Sequence, residues 1–120
     1  MPQGGIDFGE NPWTAARREL EEETGIAPTL VERIADHAQQ LRYDLPPEIA
    51  GRLWGGKWKG QIQDWFLLRF RGTDADVNIA TAHPEFNQWK WVEPDHLPEL
   101  IVPFKRDMYR AIVEGFRDWL

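Results

Sequence analysis

Four of the five positions from 19 to 23 in Arg18-Glu19-Leu20-Glu21-Glu22-Glu23 are glutamate, and any fold of this chain has to accommodate that charge. The segment sits in a predicted helix. Asn11 is a good N-cap, and Pro12 at the first helical position has no amide hydrogen to waste. Gly25 supplies the stop after Thr24. Residues three and four apart share a helix face, so Glu19, Glu22 and Glu23 converge on one side, with Trp13, Ala16 and Leu20 on the neighbouring, core-facing side. Acids in the second half of a helix oppose its dipole, and clustered carboxylates repel one another. A hard divalent cation such as Mg²⁺ offsets both, because it prefers oxygen ligands. Arg18, four residues before Glu22, is placed to hold a carboxylate from behind. The competing reading is a solvated acidic face, and spacing alone does not choose between them.

The remainder of the chain alternates strand-like and helix-like segments, which predicts an α/β or α+β class. Residues 30–45 read as extended segments with a turn. Residues 61–70 form the best strand, centred on Trp65-Phe66-Leu67-Leu68. A short strand is expected at 77–80 and another at 86–92. A short helix over 94–100 precedes a long one from about Pro103 to Leu120. In that last helix Tyr109, Ile112, Val113, Phe116 and Leu120 make an apolar stripe. The chain has 120 residues, 42% of them hydrophobic, which suits one domain over 1–120. It contains no cysteine, which removes disulfides and thiolate metal sites and fits a reducing cytoplasm. No segment has the character of a signal peptide or a membrane span. A net charge of −6 argues against non-specific coating of nucleic acid. A nucleic-acid partner would be gripped at an end or as a small nucleotide. The oligomeric state is not legible.

The glycines sharpen the reading of the acidic helix. Gly4, Glu10, Arg18, Glu19, Leu20, Glu22, Glu23, Gly25 and Ile26 fit every fixed position of the pattern GX5EX7REUXEEXGU, U being a bulky aliphatic residue. In this respect the chain resembles the Nudix family. Further segments resemble one branch of it, the bacterial RNA 5′-pyrophosphohydrolases, also described as dinucleoside polyphosphate hydrolases. These are Pro2-Gln3-Gly4-Gly5-Ile6-Asp7, Leu41-Arg42-Tyr43-Asp44-Leu45-Pro46, Trp65-Phe66, Pro84-Glu85-Phe86 with Trp89-Lys90-Trp91, and Pro103-Phe104-Lys105-Arg106.

The resemblance implies a Nudix α/β/α sandwich with a mixed sheet. It implies Mg²⁺- or Mn²⁺-dependent removal of pyrophosphate from triphosphorylated RNA in mRNA decay, or cleavage of dinucleoside polyphosphates, with no DNA or membrane partner. Glu19, Glu22, Glu23 and the distant Glu85 would bind metal, Arg18 would brace the glutamates, and either Glu22 or Glu85 would be the general base. Gly4 and Gly5 would let the backbone turn beside metal and substrate. Phe104 would stack on a base, with Lys105 near the phosphates. Alternatives are a Nudix diphosphatase acting on free nucleotides or nucleotide sugars, and an inactive nucleotide-binding remnant.

Two departures stand out. The family has two strands ahead of the motif, so this chain is expected to lack them and to show an exposed edge or apolar face. Asp64 stands where relatives usually carry Lys. Between 52 and 60 cations alternate with aromatics, which makes Lys57 and Lys59 candidates for contacting an RNA end. Asp74, Asp76, Asn78 and Glu85 mimic EF-hand spacing, but Ile79 occupies the position that requires Gly. His37, His83 and His96 show no metal-ligand spacing and receive no role.

Overall fold

Helix α1, Pro12–Thr24, starts and stops where its local chemistry dictates. The Asn11 side chain accepts the Thr14 amide at 2.8 Å. At the other end Gly25 adopts φ +71° and its amide donates to the Glu21 carbonyl at 2.9 Å. A Cβ on Gly25 would also lie 2.8 Å from the Asn78 carbonyl oxygen, so glycine is required there twice over. The computed structural model describes residues 1–50, 60–82 and 84–120. Its elements are α1, β1 (Val31–Asp36), β2 (Leu41–Asp44), α2 (Pro47–Ala50), β3 (Gly60–Gln63), β4 (Phe66–Phe70), α3 (Leu97–Leu100) and α4 (Arg106–Gly115), with short 3-10 turns between them. The class is α/β, as expected. The described strands form two sheets of two, β1 with β4 and β2 with β3, instead of one mixed sheet.

The chain divides into two compact units. The first comprises Met1–Ala35 and Phe66–Trp91. In it the Trp13 ring meets Phe66 edge-on at 5.4 Å, and the Arg33 guanidinium covers both rings. Asn78 donates its amide to the Thr24 carbonyl at 2.7 Å, tying the segment after the 3-10 turn at Asp74–Asp76 to the end of α1. The second unit comprises Asp36–Trp65 and Val92–Leu120. There β2 and β3 pair antiparallel, with Tyr43 opposite Gln61. Met108, Tyr109, Ile112, Val113 and Phe116 of the last helix are buried, as are Tyr43 and Leu45. Tyr109 packs edge-on against Trp65, and burial pushes its hydroxyl up to about 12.

Several expectations need correcting. The strand foreseen over 61–70 is two strands, interrupted at Asp64-Trp65. The Trp65 carbonyl there accepts the amide of His37, the residue after β1, at 2.9 Å, at the point where the chain passes from pairing with β2 to pairing with β1. Neither 77–80 nor 86–92 is a strand. Trp91 is committed to side-chain contacts, stacked on Phe70 at 5.7 Å and donating its indole N–H to Asp74 at 2.7 Å. The long helix is an α-helix only over Arg106–Gly115, with 3-10 turns at Pro103–Lys105 and Arg117–Trp119. Leu120 is exposed and does not join the stripe. On α1 the buried residues are Ala15 and Glu23, while Trp13, Ala16 and Leu20 are half-buried. Phe8, Ile62, Phe86, Trp89 and Trp91 are among the exposed apolar side chains.

Candidate active site

Arg18 organises the loop that precedes α1. Its Nε and Nη2 donate to the two carboxylate oxygens of Glu10 at 2.9 and 3.0 Å, a bidentate pair. Nη2 also donates to the Gly5 carbonyl at 2.8 Å, and Nη1 donates to Glu19 at 2.8 Å and to Glu22 at 3.2 Å. One guanidinium therefore fixes the loop to the helix and orients two glutamates. The Glu22 contact anticipated from four-residue spacing exists, but it is the longest of the set. Glu10 also accepts the Asp7 amide at 2.9 Å, and the Arg18 guanidinium holds its carboxyl below the usual range. Glu10 fitted the sequence pattern without being given a task. Its task depends on an arginine eight residues away, beyond same-face helical spacing.

Glu19, Glu23 and Glu85 come together. All three line a cleft of about 280 Å³ that also includes Gln3, Gly4 and Phe86. Gly4 lies against the Glu19 carboxyl group, which would have to move aside for a Cβ at that position. Glu23 is 7% exposed and accepts the Gln3 amide at 2.9 Å. Burial pushes its carboxyl up to about 7, and the negative charges of Glu19 and Glu85 add to the rise against that hydrogen bond. Glu22 is exposed and lies outside this lining. Gly5 is also outside it and contributes its carbonyl to Arg18.

The donor set fits a hard divalent cation, since it is all carboxylate and Glu23 carries a desolvated charge that a cation would neutralise. Among the described residues no three carboxylate or imidazole groups are already gathered at coordinating distance, so the acids surround the cleft without meeting at one point.

Phe104 and Lys105 belong to the second unit. Phe104 is half-buried with its ring 5.8 Å from Tyr43, and the Lys105 ammonium lies 4.8 Å from the same ring. Burial lowers the Lys105 pKa. Asp64 is exposed, and the Gln40 side chain donates to it at 3.4 Å. Lys57, Lys59 and His83 lie outside the described residues. No helix among the described residues is long and apolar enough to cross a membrane.

A family model described as "NUDIX domain" matches residues 1–112. The chain is 62% identical over 118 residues to a protein named RNA pyrophosphohydrolase from Erythrobacter litoralis, an alignment covering 98% of this chain and 72% of that one. A protein of the same name from Dinoroseobacter shibae is 55% identical over 120 residues, covering 100% of this chain and 75% of the relative. Another from Rhodospirillum rubrum is 58% identical over 113 residues, with 94% and 67% covered.

Proposed function

The chain belongs to the Nudix family and is a pyrophosphohydrolase, and on that premise we propose that it removes pyrophosphate from the 5′ end of triphosphorylated RNA. The same chemistry would split dinucleoside polyphosphates. The observation that carries the reading is the cleft where Glu19, Glu23 and Glu85 surround Gly4. Relatives named RNA pyrophosphohydrolase, at 53–62% identity, support RNA as the substrate.

Hydrolysis breaks one phosphoanhydride bond. Water adds to phosphorus, pyrophosphate leaves, and the RNA keeps a 5′-monophosphate. Glu19, Glu22, Glu23 and Glu85 would hold Mg²⁺ or Mn²⁺, which supplies positive charge against the phosphate chain and acidifies water. Arg18 holds the Glu19 and Glu22 carboxylates in fixed orientations, which spares the reorganisation that would otherwise accompany each turnover. Glu85 suits the role of base better than Glu22. It lines the cleft and has no hydrogen-bond or ion-pair partner among the described residues, whereas Glu22 accepts from Arg18. The family resemblance adds Lys57, Lys59 and Lys105 as candidates for holding the phosphates and Phe104 for stacking on a base.

The test is pyrophosphate release from 5′-triphosphorylated RNA in Mg²⁺, comparing the parent with Glu22→Gln and Glu85→Gln. Release by the parent, reduced roughly 100-fold or more in either variant, is the expected result. Equal release by parent and variants would overturn the carboxylate assignment. No release from RNA, with rapid cleavage of diadenosine tetraphosphate, would move the substrate to dinucleoside polyphosphates.

A further inference from the structure

Beside the carboxylate cleft lies a shallow, open depression along the single run Pro84-Glu85-Phe86-Asn87-Gln88. The two share Glu85 and Phe86 as lining, so one wall serves both. Phe86 is 37% exposed, and among the described residues its ring has no aromatic partner. Its neighbours Trp89 and Trp91 instead contact each other at 5.8 Å, and Trp91 stacks on Phe70. Asn87 and Gln88 are exposed, and among the described residues their amides have no hydrogen-bond partner. An open ring face next to two free amides is what a nucleobase recognises, because it offers stacking together with paired donors and acceptors.

We propose that Phe86, Asn87 and Gln88 form a nucleobase subsite, in which a base of the substrate stacks on Phe86 while the phosphate chain occupies the adjoining carboxylate cleft. The proposal rests on the nucleotide-hydrolase reading above and adds the residues that select for a base.

The experiment is calorimetric binding of AMP and of ribose 5-phosphate in Mg²⁺. The two probes share phosphate and sugar and differ only in the base. The parent should bind AMP about 5- to 100-fold more tightly. Phe86→Leu should abolish that preference, and Phe86→Tyr should keep it. Replacing the exposed pair by Asn87→Ala and Gln88→Ala, a change that leaves packing untouched, should reduce the preference several-fold. Equal affinity of the parent for both probes overturns the proposal without any variant being needed. So does a preference that survives Phe86→Leu, or one lost equally in Phe86→Tyr. Turnover is not read, so inactivity toward RNA would count against the proposed function and leave this comparison to be decided separately.

Discussion

The loop and helix over residues 1–24 and the final helix α4 are held in place by different kinds of force. In the first, the ordering contacts are charged and directional: five hydrogen bonds radiate from the Arg18 guanidinium. Only Ala15 and Glu23 of α1 are buried. In the second, Met108, Tyr109, Ile112, Val113 and Phe116 are buried, and the ordering force is loss of apolar surface from water. The apolar helix tolerates shifts that keep volume, whereas the charged loop and helix fail when a single donor is misplaced. One region is therefore organised for stability, and the other for placing carboxylates.

The largest stability effect should come from α4. Phe116 is 3% exposed and meets His37 edge-on at 5.5 Å. Phe116→Ala should cost about 3–5 kcal/mol of unfolding free energy, measured by denaturant titration. Arg18→Met should do the reverse, lowering pyrophosphate release about 10- to 100-fold while the denaturation midpoint moves little. If Arg18→Met unfolded as readily as Phe116→Ala, the division between the two regions would collapse.

The same division explains what could be read from the sequence. Helix α1 was legible because Asn11, Pro12 and Gly25 act locally, but of the three glutamates expected on one face only Glu19 and Glu23 line the cleft, while Glu22 is exposed. The stripe on α4 was legible for the same reason. Strands were less so. The large residues Phe86, Trp89 and Trp91 suggest a strand over 86–92, but pairing needs an edge elsewhere, and Trp91 is engaged by Phe70 and Asp74 instead. The break at Asp64-Trp65 likewise depends on His37, a residue nearly thirty positions away. The part played by Glu10 stayed hidden because it consists of a contact from Arg18.

An intermediate effect should come from Gly25, where the charged region is closed by backbone geometry alone. Gly25→Ala forces an L-residue into the left-handed region and pushes its Cβ against the Asn78 carbonyl. A loss of about 1–2 kcal/mol is expected by thermal or denaturant unfolding. A neutral result would mean that the end of α1 relaxes freely, and the carboxylates would then depend on Arg18 alone for their placement.

The smallest effect tests whether the carboxylate region carries an internal cost that the apolar helix does not. With chelator present, Glu23 has a folded pKa near 7 against an ordinary value of 4.5. Below about 4.5 the carboxyl is protonated in both folded and unfolded chains, and its favourable contribution is complete. As pH rises toward 7 the unfolded chain releases the proton while the folded chain retains it, so unfolding is progressively favoured; above 7 the dependence levels off. The loss should be on the order of 1 kcal/mol once solvent screening is allowed for. Other groups titrate across the same window, so the informative quantity is the difference between the parent and Glu23→Gln, whose side chain still offers an oxygen to the Gln3 amide. The pH slope should be shallower in Glu23→Gln. Equal slopes would mean that burial of the Glu23 carboxylate, with the charges of Glu19 and Glu85 beside it, does not destabilise the folded chain.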